Sequence, residues 1–461
     1  MIFVITMNRH LGRLSWAQPS LLLALTLLVA CARPTNLLYA NPSLPSVADY
    51  ESIQAAVDAN PGTALWVPPG DYLLDKAVVI SADGTWLQGL GRLIQRNPAA
   101  AVIRAHDAKD VRFSGLTLMR AEDCRTATEP AIEIDSCQRV VLDDLRVIDN
   151  CSKQGAIALA NCSGADIRSC LVENYSRVTI DDRTQGREGK LYGYAFHCID
   201  GSGITVIRSR DVLIQSNRVI ENRLRPSREM KAEFELGQFA QRCEERGELV
   251  SPQVWESGYV NNWHQGSAIM VGSPEQTEYV RILDNFVENA GQGIDIHADH
   301  VTVRGNMVVD AFVGMKAMHG SRCTLISDNH FSKNTLWAIG LMPGATSKLG
   351  NEDGDSIISN NIISEFGGGY AAWMWPPEDH TCAPIRLDCG QTADNPPIRN
   401  VVISGNVIQQ STGDGDAAAG RSSSTPRYKF ALLIETGPGS PQQVIALNNQ
   451  FPPGTEGVTN Q

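Results

Sequence analysis

One short phrase recurs along this chain: an apolar residue, two small or polar residues, an Asn, and then an apolar pair. It reads Ile214-Gln-Ser-Asn217-Arg-Val-Ile, Ile282-Leu-Asp-Asn285-Phe-Val, Val303-Arg-Gly-Asn306-Met-Val, Ile326-Ser-Asp-Asn329-His-Phe, Ile358-Ser-Asn-Asn361-Ile-Ile and Ile403-Ser-Gly-Asn406-Val-Ile. The tightest steps, Asn285 to Asn306 and Asn306 to Asn329, are 21 and 23 residues. Such a period, with short β runs and no helical spacing, indicates a β-solenoid rather than a sandwich or a barrel. Stacked coils place equivalent residues about 4.8 Å apart. An inward Asn at the same turn of each coil can then bond its counterparts above and below, so an Asn ladder is expected.

A second strand aligns equally well. Ser267-Ala-Ile-Met-Val271, Gln292-Gly-Ile-Asp-Ile296, Val313-Gly-Met-Lys-Ala317 and Trp337-Ala-Ile-Gly-Leu341 superpose, with Ile269, Ile294, Met315 and Ile339 in one inward column. Ser52-Ile-Gln-Ala-Ala-Val-Asp58 reads as a short amphipathic helix closing the open end of the core. Inserts are expected at about 223–262, partly helical around Met230 to Leu236, and at about 367–398. A polar stretch at 411–428 precedes an expected last strand at Phe430–Ile434. The fold class is therefore all-β: a single parallel β-helix over residues 46–461 with a capping helix and two inserted loops. The cap resembles that of pectate-lyase-like proteins and relatives of the family 28 glycoside hydrolases, which implies a right-handed helix.

The N-terminus is a separate matter. Arg9 and Arg13 precede the apolar run Leu21 to Ala30, which is short for a membrane span and reads as a signal-peptide core. It ends Leu28-Val-Ala-Cys31, which resembles a bacterial lipobox. Residues 1–30 are thus expected to be a lipoprotein signal peptide, Cys31 the lipidated residue and 31–45 a linker. The protein would be exported, anchored to the membrane of the cell envelope, and monomeric. Ten cysteines remain of the eleven, an even number that permits disulfides. Column alignment puts Cys137 over Cys162, as a bridge or as a stack of free thiols, and a bridge between Cys382 and Cys389 would close a short loop. The formal charge of −12 argues against nucleic acid as a partner.

Against this plain background the stretch Gly293-Ile-Asp-Ile-His-Ala-Asp-His300 places four ionisable side chains in eight residues. With Ile294 and Ile296 inward, Asp295 and His297 face outward together. One coil on, Lys316 takes the column of Asp295, and His319 and Arg322 follow just past the strand. Asp299 and His300 lie at the turn, and Asn262-Trp-His264-Gln leads into the same column one coil earlier. Four of the nine His residues fall in this patch, although Asp295 over Lys316 is also what an ordinary cross-coil ion pair would look like.

Asp295-Ile-His297 with the later Arg322 resembles the active-site region of the periplasmic mannuronan C5-epimerases, right-handed parallel β-helix enzymes with an Asp-Pro-His-Asp motif. Ile296 stands where that motif has Pro, and Asp299 arrives one residue late. The resemblance implies His297 as the base that removes a C5 proton and Arg322 as neutraliser of the uronate carboxylate. The chemistry suits the residues: a cation beside the carboxylate lowers the barrier to a carbanion, and a His steadied by Asp295 takes the proton. Lys316 is a second neutraliser, and Lys316 or His319 a second acid or base. The expected substrate is an acidic, uronate-containing polysaccharide, and the reaction epimerisation or β-elimination.

Two other classes compete. A glycoside hydrolase needs paired carboxylates about 5–5.5 Å or about 6.5–9.5 Å apart, for which Asp295 with Asp299, or the acids of Asp181-Asp182-Arg183 and His197-Cys-Ile-Asp200, are candidates. Asp181 and Asp182 are expected in a turn or facing the groove, with Asp181 and Arg183 contacting sugar. A non-catalytic glycan-binding protein would use Trp263, Trp373 and Trp375 as stacking platforms. No spacing is diagnostic of a metal, and Ca²⁺ or another divalent cation stays open as a cofactor.

Overall fold

The computed structural model describes residues 43–461 apart from 186–191, 248, 345, 371–381, 391–393, 410–425 and 438. Cys31, Trp373 and Trp375, and nearly all of the 411–428 stretch, lie outside the described residues. Each coil contributes one strand to each of three parallel sheets of 12, 11 and 12 strands, stacked in chain order. The first sheet runs from Ala64–Val67 to Gln442–Leu447, the second from Asp71–Leu74 to Val407–Gln409, and the third from Val78–Ile80 to Gly457–Thr459.

The inward columns are apolar and dry. Ile214, Ile282, Val303, Ile326, Ile358 and Ile403, the residues that precede each repeated Asn, are fully buried, as are Ile269, Ile294, Met315 and Ile339 of the third sheet. The Asn side chains form the expected ladder between the first and second sheets. Asn217 Nδ2 donates to Asn285 Oδ1 at 3.0 Å, Asn285 to Asn306 at 2.9 Å, Asn306 to Asn329 at 3.0 Å, and Asn329 and Asn361 to the next rung at 2.9 Å each. The same oxygens accept the backbone N–H of the rung below, and the same Nδ2 groups also donate to carbonyls such as that of Ile282. The buried amide atoms of the ladder from Asn217 to Asn406 are thereby satisfied, where one left unpaired would cost roughly 1–3 kcal/mol. The ladder extends one rung past the repeated phrase, to Asn449.

The capping helix is Ile53–Ala59; Ser52 Oγ accepts from the Ala55 N–H at 3.1 Å, and Ile53, Ala56 and Val57 close the core. At the other end the chain does not stop at Phe430–Ile434, as the sequence suggests. Strands Gln442–Leu447 and Gly457–Thr459 follow, and the former is hard to recognise because it packs on one neighbour only and leaves Ile445 and Leu447 exposed.

The inserts also differ from expectation. The 367–398 segment contains a third-sheet strand, Ala383–Leu387. The interruption near 223–262 contains helices Arg228–Glu233 and Pro252–Ser257, but it joins an earlier excursion. Arg177–Arg183 pairs antiparallel with Tyr194–Asp200, and Phe239–Arg242 adds a third strand. Ile199 of this small sheet, with Leu236 and Trp263 from the segments beside it, packs with Phe312, Val313, Met318 and Trp337, walling one side of the third sheet's outer face. All described cysteines are free, so no Cys382–Cys389 bridge forms, and of the two expectations for Cys137 over Cys162 the stack of free thiols is the one found. Cys162 instead donates to the carbonyls of Ala160 and Ile134, and Cys382 to those of Thr335 and Arg427.

Candidate active site

The outward column of the third sheet reads Met270, Asp295, Lys316, Gly340, Arg386 from coil to coil. Met270 below and the bare Gly340 above leave Asp295 and Lys316 facing each other. Lys316 Nζ lies 3.6 Å and His297 Nε2 2.9 Å from the same atom, Asp295 Oδ1, while Ser267 Oγ reaches Oδ2 at 3.5 Å. Asp295 is 5% exposed. Burial alone would raise its pKa, but the charges of His297 and Lys316 outweigh burial and hold it below the ordinary carboxylate range. The His297 and Lys316 side chains keep 19% and 16% exposure, enough to be touched from the groove.

His319 closes the group. Its ring stands edge-on to His297 with centroids 4.6 Å apart. The backbone there is left-handed, φ 65°, as at many turns of the coils. The residue is held by Gly344, Thr346 and Asn351. Asn351 Nδ2 donates to the His319 carbonyl at 3.1 Å, and the Thr346 N–H donates to His319 Nδ1 at 3.3 Å. Gly344 sits so close that a Cβ there would lie 2.1 Å from Nδ1. With Nδ1 accepting, the neutral ring carries its proton on Nε2. Beneath, the buried carboxylate of Asp353 accepts from the backbone N–H groups of Gly320 and Ser321 at 2.9 Å each and from Ser347 Oγ at 2.5 Å. Burial pushes the Asp353 carboxyl up to about 7, against the lowering effect of these three donors.

The structure brings the residues of the sequence patch together at its centre and disperses them at its edges. Asp295, His297, Lys316 and His319 converge. Arg322 closes instead on Asp299, Nη2 to Oδ2 at 2.7 Å and Nε to Oδ1 at 3.5 Å, so its charge is already matched. His300 turns the corner into the first sheet, where its ring packs 5.0 Å from Tyr279. His264 is buried with no hydrogen-bond partner for Nε2 among the described residues; burial lowers its pKa to about 4, so it is a neutral core residue and not a substrate contact. Trp263 is fully buried and is no stacking platform, whereas Asn262 is exposed at the rim. Asp181 and Arg183 lie in an antiparallel strand rather than a turn, paired to each other at 2.8 Å, with Arg183 reaching Gln265 at 3.5 Å.

Other residues escaped the sequence reading. Ser267, Thr346 and Asp353 lie on other coils or in a loop, and only the register between strands brings them here. Further along the same outward face, Arg386 bridges Asp388 at 2.6 Å and Glu435 at 2.7 Å and stacks 4.5 Å from the Trp337 ring centroid. Asp388, Cys389 and Glu435 place one ligand atom each within 4.8 Å of one another, the spacing of a metal site. The Arg386 guanidinium already occupies both carboxylates, so these residues do not fit a divalent cation as they stand.

The family model described as "Right handed beta helix region" matches residues 103–336, more than half of the chain. This chain is a right-handed β-helix protein. Solved structures agree on the fold of the β-helix. The Agl-KA catalytic domain superposes with a TM-score of 0.55 at 12% identity over 92% of this chain and 68% of that one. PfbA, a surface adhesin of Streptococcus pneumoniae, gives 0.52 at 16% identity over 90% and 93%. DFA-IIIase from Arthrobacter chlorophenolicus A6 gives 0.52 at 14% over 85% and 88%. No curated protein sequence matches the β-helix.

Proposed function

We propose that this β-helix acts on an acidic, uronate-containing polysaccharide by removing the C5 proton, as an epimerase or a β-eliminating lyase. The observation that carries this reading is the meeting of His297, Lys316 and His319 around the buried, ionised Asp295. His297 turns Nε2 toward Asp295, which leaves Nδ1 as the base. Asp295 stays charged and steadies the imidazolium once the proton arrives. As the C5–H bond breaks, its electron pair moves into the uronate carboxylate, and Lys316 is the cation that stabilises the added charge. In this reading His319, with its proton on Nε2, is the acid. A proton returned to C5 from the opposite face completes epimerisation; a proton given to the departing 4-oxygen completes elimination.

Hydrolysis is less favoured because Asp299, the second carboxylate that Asp295 would need, is engaged with Arg322. That engagement also moves the neutralising role from Arg322 to Lys316. Export and lipid attachment at Cys31 belong to the same proposal; incorporation of labelled fatty acid into the protein, lost in Cys31→Ala, tests them. The reaction is tested by proton NMR of alginate and pectate in D₂O with the purified protein. Deuterium at C5, with or without unsaturated ends, is the expected result; new reducing ends without exchange would replace this reading by hydrolysis.

A further inference from the structure

The outer face of the first sheet holds a shallow hollow of about 410 Å³, on a different sheet from His297. Its floor is the outward column Trp86, Arg112, Val141, Asp166, Leu213, Arg281, one residue per coil. Beside it runs a second column of left-handed residues: Gly84, Asp110, Arg139, Gly164, Asp211 and Tyr279. Of those that line the hollow, Gly164 is the one without a side chain, and the nearest atom to a Cβ there is Arg139 Cγ at 3.8 Å, so the missing side chain opens the hollow.

We propose that this hollow is a non-catalytic binding site for a neutral glycan chain. Trp86 is 38% exposed, with Arg112 5.5 Å from its ring centroid, and offers the flat apolar edge on which a pyranose ring packs. The lining carries three Arg and three Asp, so it has no net charge, and among the described residues only Asp166 of these six lacks an ion-pair partner. Arg139 holds Asp110 through two bonds of 2.6 Å, Arg281 reaches Asp211 at 3.4 Å, and Arg112 reaches Asp143 at 3.2 Å. Paired forks of this kind present donors and acceptors side by side with no net field, which suits hydroxyl groups and gives an anionic polymer no advantage. Coils about 4.8 Å apart present one column residue for roughly each sugar of an extended chain laid along the helix axis. Such a site would hold the enzyme against a neutral wall or matrix glycan while the third sheet remains open to its own substrate.

Calorimetric titration of the intact protein with cellohexaose, mannohexaose and maltohexaose, with hexagalacturonate as the charged counterpart, tests the proposal. At least one neutral hexasaccharide is expected to bind. Trp86→Ala should weaken it about tenfold, the scale of one aromatic contact, and Gly164→Arg should abolish binding. Gly164→Arg is expected to fold, because Arg139 carries the same backbone conformation one coil away at φ 52°; circular dichroism checks this, and Arg281→Ala serves if it does not. His297→Ala should leave binding unchanged. Absence of binding by every neutral hexasaccharide at millimolar ligand, binding indifferent to these first-sheet variants, or a preference of this face for hexagalacturonate would each overturn it.

Discussion

The outer faces of the first and third sheets carry similar residue types and use them in opposite ways. On the first sheet Arg139 and Asp110, and Arg281 and Asp211, are exposed and pair off across neighbouring coils. On the third sheet one buried carboxylate, Asp295, answers both a Lys and a His. The difference comes from what surrounds each column. The antiparallel excursion and the Trp263 cluster wall the third sheet, and the 344–353 loop covers its turn, so charges there are desolvated and strongly coupled. The first sheet has no such wall, and water screens its pairs to little net worth. Similar side chains thus become reactive groups on one face and hydrogen-bonding surface on the other.

Substitutions at four positions would break or sharpen this contrast. His297→Ala removes the base and should lower C5 exchange by roughly 10²–10⁴-fold, while polymer affinity persists; unchanged exchange would end the assignment of His297. Lys316→Met keeps the stem but removes the cation, and should cost roughly 10²–10³ in turnover with the pH optimum shifted, because Asp295 loses one of the charges that keep it ionised. The same Lys-to-neutral exchange would be silent on the first sheet.

Asp353 supplies a subtler test. Its carboxyl is raised from 3.8 to about 7 by burial, so between those values the folded protein holds a proton that the unfolded chain has released. Stability should therefore fall as pH rises through that window and stay reduced above it. Asp353→Asn keeps an Oδ1 acceptor for Gly320 and Ser321 and mimics the neutral acid, so melting temperature should become less dependent on pH with turnover retained. Asp353→Ala should free the loop and lower turnover through His319. The smallest effect is expected from Arg139→Ala: about 0.5 kcal/mol or less in stability, measured by denaturant unfolding, and none on C5 exchange.

The solenoid was legible because its repeat is local and repeated. Asn306 can be recognised beside Asn285 from spacing alone, and the alignment that set Lys316 over Asp295 is the register found in the structure. The site was only half legible for a related reason. Residues within a strand, or directly after it, keep their relations in any β-helix, so Asp295, His297 and Lys316 were readable together. Turn residues do not: His300 bends toward Tyr279, and Arg322 folds back on Asp299. His264 and Trp263 looked like groove residues by position but were drawn inside by an excursion whose pairing, Arg177–Arg183 with Tyr194–Asp200, leaves no period to read.

What the amino-acid sequence determined by itself was the coil: its period, its inward apolar columns, its Asn ladder and the pairing of Asp295 with Lys316. Backbone hydrogen bonding between coils about 4.8 Å apart leaves no other register for those columns. What the tertiary structure decided was environment. Burial of Asp295, the tautomer that Thr346 favours in His319, the raised carboxyl of Asp353 and the hollow at Gly164 depend on atoms from different coils, loops and excursions meeting in space. Dielectric, strain and shape are properties of that meeting, and no single segment of the chain carries them.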